Sequence, residues 1–226
     1  MVNPLRLIII ALVTFIVLKS STFGWNFFAK SFSPPEKEDS RLANSLEFHV
    51  RKLSDEIGDR SVFNYEKLNE AARYITQALR SFGYSVEFQN YTVSDKEVKN
   101  IIATRRGTKN PKEIIIVGAH YDTCFNPGAD DNASAVAGLL ELARCLSDQQ
   151  TARSVRFIAF VNEESPFFTT DEMGSMVYLK KAKAEGEDIK AALILEMIGY
   201  YTDKPNSQRY PFIYGFFYPN KGNFLA

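Results

Sequence analysis

The sequence IIIVGAHYDT, residues 114–123, joins an apolar run to a histidine and an aspartate. Residues 114–119 are apolar and rich in β-branched side chains, which is typical of a short buried strand. His120 follows this run directly, and Asp122 lies two residues further on. The segment therefore predicts a core strand that ends in a histidine able to bind a metal ion and an aspartate able to orient that histidine.

Two more short apolar runs follow along the chain, at residues 155–161 and 191–195. Amphipathic helical patterns separate the three runs, and upstream patterns add two helices and two strands. Alternating strands and helices predict an α/β fold with a mostly parallel central sheet and helices on both faces, a three-layer αβα arrangement. The predicted helices cover residues 41–57, 65–82, 133–146 and 171–184, and the upstream strands cover 84–93 and 98–104.

Each of the three apolar runs ends in potential metal ligands. His120 follows the first run, Glu163 and Glu164 follow the second, and Glu196 follows the third. Because the carboxyl ends of parallel strands lie along one edge of a sheet, we expect these side chains to converge. Asp122 can accept the second ring N–H of His120 and fix its tautomer. The alternatives are a hydrogen-bonded structural histidine and carboxylates that are simply solvated.

Two acidic clusters support the same expectation. Asp130-Asp131-Asn132 precedes the helix at 133–146, where an N-cap is the simplest interpretation. Only one aspartate can cap, however, and a second carboxylate could bridge two cations. The adjacent Glu163 and Glu164 repel each other unless a cation or proton lies between them. One could bind metal while the other accepts a proton from water.

Together these motifs resemble the di-zinc exopeptidases, a family that includes bacterial leucyl aminopeptidases, glutamate carboxypeptidase and glutaminyl cyclase. The resemblance extends over about residues 42–226. It rests on Gly-Ala-His-Tyr-Asp at 118–122, Gly-Ala-Asp-Asp-Asn-Ala-Ser at 128–134, Phe-Val-Asn-Glu-Glu at 160–164, Gly-Ser-x-x-Tyr at 174–178 and Leu-Glu-Met-Ile-Gly-Tyr at 195–200.

The resemblance implies a zinc exopeptidase fold that holds two Zn²⁺ ions. His120 and Glu196 would bind one ion, Asp131 would bridge both, and Glu164 would bind the second. The peptide bond between Asp131 and Asn132 would be cis. The metal actually loaded stays open, because cobalt or manganese can replace zinc at such ligands.

The same resemblance assigns the catalytic roles. Glu163 would be the general base that activates the water, and Asp122 would orient His120. The expected activity is that of a metallo-aminopeptidase acting on peptides. The alternatives are a glutaminyl cyclase-like acyltransferase with one zinc, and a non-catalytic relative.

The family's fifth ligand is a later histidine, whereas this sequence has only two histidines and none after His120. His49 lies on the first predicted helix among apolar residues, so we predict a structural role for it. Our expectation is that the exopeptidase domain, residues 40–226, is incomplete at its carboxyl end. One zinc position would then lack a ligand.

Composition excludes other classes of function. The chain has 226 residues, and 27 basic residues balance 27 acidic ones, so nothing indicates a nucleic-acid partner. Cys124 and Cys145 are too few for a disulfide framework, and we predict two free thiols, with Cys145 beside the core on its helix.

Residues 1–30 contain an apolar run that predicts a signal peptide or a membrane anchor, and residues 31–39 are predicted to be a linker. Both alternatives predict export, with membrane contact through this segment if it is uncleaved.

Overall fold

The computed structural model describes residues 40–210 and 219–223. The predicted signal peptide or anchor and the linker lie outside these ranges. Asp39–Gly199 form one compact unit, and the second unit includes Tyr200–Ala226. Within the described ranges, no helix combines the length and apolar character needed to cross a bilayer.

The first unit contains four helices and five strands. The helices are α1 (Ser40–Arg51), α2 (Tyr65–Ser81), α3 (Ala135–Leu146) and α4 (Gly174–Glu185). The strands are β1 (Val86–Val93), β2 (Lys96–Arg105), β3 (Asn110–His120), β4 (Arg153–Phe160) and β5 (Asp188–Ile194). Each corresponds to a predicted element. The first predicted helix is longer than α1 because a wider turn, Lys52–Ile57, extends it to Gly58, whose φ of 81° ends the helix.

The sheet is mixed, not mostly parallel as predicted. Its strand order is β1-β2-β4-β3-β5. β3 runs parallel to β4 and β5, whereas β2 is antiparallel to both β1 and β4. The reason is local: only Ser94 and Asp95 connect β1 to β2, and both have positive φ. A two-residue turn of this kind joins antiparallel strands only.

Helices cover both faces of the sheet, as predicted. On one face, α2 and α3 contribute Leu68, Ile75 and Leu139 to the larger hydrophobic cluster, and α1 packs against α3. On the other face, α4 places Tyr178 and Ala182 in a smaller cluster. Alternate residues of β3 and β4 enter the two clusters, which is the period-2 pattern of a strand buried on both sides.

β5 differs from the other central strands in its exposure. Leu193 is 55% exposed and Ile194 57% exposed, although their apolar run resembles those of β3 and β4. In the described part of the chain, β5 pairs with β3 alone and forms an edge of the sheet. An apolar sequence therefore does not correspond to burial here.

The two cysteines are free thiols, as predicted. The expected position of Cys145 beside the core is wrong, because its side chain is exposed. On α3 the inward positions next to it are Ala143 and Leu146, and Cys145 lies on the solvent side of both.

Candidate metal centre

The carboxyl ends of the parallel strands meet around His120. Its Nε2 lies 3.2 Å from Asp131 Oδ1, 3.5 Å from Glu196 Oε2 and 3.6 Å from Glu163 Oε2. Ligand atoms of His120, Asp131 and Glu196 all lie within 4.8 Å of one another. Three of the four predicted ligands are thus close enough to share one ion.

Glu164, the fourth predicted ligand, is not part of this group of three in the described chain. Burial, followed by repulsion from Asp131, raises the pKa of Glu164 to about 7. The carboxylate therefore belongs to the same acidic environment but stands apart from the three converging ligands.

His120 is the buried centre of this acidic group. It is 3% exposed, and no described residue forms a hydrogen bond with its Nε2. Burial disfavours the charged ring, but the Asp122 and Glu196 carboxylates outweigh it and raise the pKa of His120 to about 11. A buried nitrogen that faces several carboxylates needs a positive charge, either its own proton or a cation. A structural histidine would have both nitrogens paired, so the donor set fits a bound metal ion better.

Asp122 contacts more than the sequence predicted. Its carboxylate lies 3.5 Å from His120 Nδ1, and its backbone oxygen lies at 3.2 Å from the same atom. The carboxylate also accepts the backbone N–H groups of Glu163 and Glu164, at 3.1 and 3.0 Å. Asp122 therefore links the end of β3 to the loop after β4.

Residues 130–132 do not form the expected N-cap. The side chains of Asp130 and Asn132 instead bond to the segment that follows β5. Asp130 Oδ1 accepts the backbone N–H of Gly199 at 2.9 Å. The Asn132 amide donates to Glu196 Oε2 at 3.1 Å and accepts the backbone N–H of Met197 at 3.1 Å. The Asp131–Asn132 bond is cis, as the resemblance implied. Asn132 is fully buried, and its bonds to Glu196 and Met197 hold that loop against the turn that carries Asp131.

Asn132 and Arg60 are the site residues that sequence reasoning missed. The capping motif and the expected cis bond at Asn132 do not indicate its contact with Glu196, and no periodic pattern marks Arg60. Arg60 is fully buried and donates to the backbone of the loop between His120 and Asp131. A buried arginine outside any helix or strand cannot be recognised from its sequence neighbours.

His49 is structural, as predicted. Its Nδ1 lies 2.5 Å from the Tyr74 hydroxyl and its Nε2 lies 3.4 Å from Glu141 Oε1. These partners come from α2 and α3, so the imidazole ties three helices together.

Comparison with known proteins is consistent with this geometry. Residues 100–213 match peptidase family M28. "Uncharacterized protein YfbL" of Escherichia coli K12 is 42% identical over 191 residues, which is 80% of this chain and 58% of that protein. An aminopeptidase of Pseudomonas aeruginosa PAO1 is 40% identical over 106 residues, 46% of this chain and 18% of that protein. This chain therefore spans less than two thirds of the length of these relatives.

A solved structure gives the same fold. Glutaminyl cyclase of Porphyromonas gingivalis superposes with a TM-score of 0.59 and 27% identity, covering 70% of this chain and 59% of that one. The α/β fold with its five-stranded mixed sheet agrees with this superposition. On the match to residues 100–213, which is half of the sequence, the chain belongs to peptidase family M28.

Proposed function

We propose that this protein is a zinc-dependent aminopeptidase that hydrolyses the N-terminal residue of peptides. One observation carries the proposal: in the described chain, Nε2 of the buried His120 has carboxylates around it and no hydrogen-bond partner. Membership of a peptidase family supports the reaction class. The Pseudomonas aeruginosa relative named aminopeptidase supports the choice of peptide N-termini.

His120, Asp131 and Glu196 would hold the first ion. The side chain of Asp131 is 42% exposed and carries a second carboxylate oxygen, so it can also reach toward an ion held by Glu164. When bound, zinc polarises the scissile carbonyl and lowers the pKa of a bound water toward about 7.

Glu163 would act as the general base. Burial raises the pKa of its carboxyl group, and the neighbouring Glu196 and Asp122 charges add to that rise against the opposing effect of His120. A raised pKa gives the carboxylate the proton affinity that base catalysis needs near neutral pH. Glu163 would take a proton from the attacking water and deliver it to the leaving amine.

A glutaminyl cyclase-like reaction is the second candidate. The 27% identity and the superposition with the Porphyromonas gingivalis cyclase favour it. In that case the substrate's own amine would attack its side-chain amide and release ammonia, and no water would be consumed. Glu163 would then move a proton between the two nitrogen atoms.

One experiment separates these alternatives. The full chain, loaded with zinc, is incubated with two peptides that are identical except that one begins with leucine and the other with glutamine. The masses of the products are then measured by mass spectrometry. Loss of the leucine supports the aminopeptidase, and loss of ammonia from the glutamine peptide supports the cyclase. Zinc binding without change in either peptide would refute both and favour a non-catalytic relative.

We further propose that the protein acts outside the cytosol, on the basis of the apolar run within residues 1–30. A fusion of residues 1–39 to a reporter enzyme that is active only outside the cytosol tests this directly. An inactive but stably produced fusion would contradict export.

A further inference from the structure

Arg60 has an unusual set of partners. Its side chain is fully buried, and its guanidinium donates to five backbone carbonyls. The acceptors are Tyr121 O at 2.8 Å, Leu53 O at 3.0 Å, Gly58 O at 3.1 Å, Pro127 O at 2.6 Å and Gly128 O at 3.0 Å. A guanidinium has five N–H groups in a rigid planar fork. Nη1 has three of these acceptors for its two N–H groups, so these bonds include a shared one, and every acceptor named is a backbone carbonyl.

The acceptors belong to two segments of the chain. Leu53 and Gly58 lie at the end of the first helix, which anchors the guanidinium to the helical layer. Tyr121, Pro127 and Gly128 lie in the loop that joins His120 to Asp131. Arg60 therefore holds both ends of the loop that sets the separation of these two ligands.

The backbone of Arg60 holds the same loop. Its N–H donates to Thr123 Oγ1 at 2.9 Å, and its carbonyl accepts the N–H of Thr123 at 3.1 Å. Thr123 in turn donates its hydroxyl to Asp59 at 3.0 Å. Arg60 thus holds the loop at Thr123, near its start, as well as at Tyr121, Pro127 and Gly128.

Gly128 shows how closely the loop is wrapped around the guanidinium. It has a φ of 57°, and a Cβ there would lie 2.2 Å from Asp131 O and 3.2 Å from Arg60 Nη2. Its carbonyl accepts from Arg60 and also from the N–H of Ala133, at 3.1 Å. The group that Arg60 binds is therefore also the start of the turn that presents Asp131.

The charge of Arg60 has no bonded carboxylate to balance it among its hydrogen-bond partners in the described chain. Burial lowers its pKa to about 10, and the carboxylates of Asp122, Asp59 and Asp131 act against that lowering from a distance. The guanidinium stays charged at neutral pH and lies behind an acidic site. It therefore reduces the mutual repulsion of the carboxylates that face His120.

We propose that Arg60 is a positioning residue of the metal centre, which fixes the backbone between His120 and Asp131 and thereby sets metal affinity and coordination geometry. This inference rests on the proposed function, because it takes His120 and Asp131 as ligands. A lysine would keep the charge but has one nitrogen in place of the fork. The geometry therefore predicts that Arg60→Lys does not restore the site.

The test uses Co²⁺, whose visible absorption reports coordination geometry independently of turnover. The full chain and its Arg60→Lys and Arg60→Gln variants are titrated with Co²⁺, and zinc affinity is measured by competition with a chromophoric chelator. We expect both variants to bind metal about 10–100-fold more weakly, as for losses of supporting contacts behind metal ligands, and to show an altered Co²⁺ spectrum. Thr123→Val, which removes the hydroxyl that bonds the Arg60 N–H and Asp59 but leaves the guanidinium in place, should change the spectrum in the same direction but less.

Arg156→Gln is the matched control. Arg156 is partly buried and pairs with Glu187 and Tyr178, but these lie with α4 on the opposite face of the sheet. Its loss should lower the melting temperature and leave the Co²⁺ spectrum unchanged. Folded Arg60 and Thr123 variants with wild-type spectrum and affinity would overturn the proposal while the proposed function stands. A wild-type chain that binds neither Co²⁺ nor zinc would refute the proposed function, and the role of Arg60 with it.

Discussion

Asp122 Oδ2 accepts the backbone N–H of Glu164 at 3.0 Å, and its other oxygen accepts that of Glu163 at 3.1 Å. Two bonds from one buried carboxylate to consecutive amides fix the orientation of the whole turn. The same residue follows β3, where it also approaches His120. A single side chain therefore sets the positions of the histidine and of both glutamates.

Asp122→Asn tests this relationship. An asparagine offers one acceptor oxygen, so its NH₂ group would face one of the two amide N–H groups and leave it unsatisfied. We expect zinc affinity to fall about 10–100-fold, in the range seen for groups that orient metal ligands. Competition with a chromophoric chelator measures this.

Asp171→Asn is the control for that substitution, because Asp171 is exposed and pairs only with Lys180 among the contacts described for it. It should bind zinc like the wild type. Equal zinc affinity for Asp122→Asn would show that the two amide bonds do not position the glutamates.

Glu163→Gln should abolish turnover and keep the metal. The amide is nearly isosteric but cannot take up a proton, and loss of a general base typically lowers the rate by about 10²–10⁴-fold. Turnover and zinc content are measured on the same preparation. Glu172→Gln, an exposed position after the same strand, should keep full activity. Loss of zinc along with activity would instead identify Glu163 as a ligand.

Removal of zinc should lower stability. A ligand at about 100 times its dissociation constant stabilises the folded state by about 2.7 kcal/mol. For a chain of this size, that corresponds to a melting temperature about 5–11 °C higher with zinc than with a chelator. The shift should vanish in His120→Asn and persist in His49→Gln, which exchanges the other histidine of the sequence. A shift that survives in His120→Asn would place the zinc elsewhere.

The group of candidate metal ligands at the strand ends could be predicted from the sequence because two patterns occur together there. Apolar runs predicted β3, β4 and β5, and the polar residues directly after them predicted the edge at which they meet. His120, Asp131 and Glu196 do converge, since β3 is parallel to both neighbours. The orientation of β2 was missed because the pattern of a strand does not report its direction, and the short turn at Ser94 carried that information.

The supporting contacts could not be predicted for a different reason. Arg60 reaches the carbonyls of Tyr121 and Gly128, 61 and 68 residues away. Asn132 reaches Glu196 across 64 residues. Every residue has the same backbone carbonyl, so the sequence does not indicate which carbonyl will accept a given hydrogen bond. These partners are identified only in the folded structure.

The pH dependence of stability should show a contribution from His49. Burial lowers its pKa below the ordinary value of 6.5, against the attraction of Glu141. The unfolded chain therefore binds the proton more tightly than the folded protein. As pH falls through about 6.5, His49 therefore reduces the free energy of unfolding, and this loss levels off below the pKa of the folded state.

Urea unfolding at pH 7.5 and at pH 5.5 measures this contribution when wild type and His49→Gln are compared. Glutamine can still contact Tyr74 and Glu141 but does not titrate, and groups common to both proteins, including Glu164, cancel in the difference. The urea midpoint of the wild type should therefore fall more between the two pH values than that of the variant. A smaller fall in the wild type would mean that Glu141, 3.4 Å from Nε2, holds the imidazole protonated in the folded state despite its burial and the neighbouring Arg144.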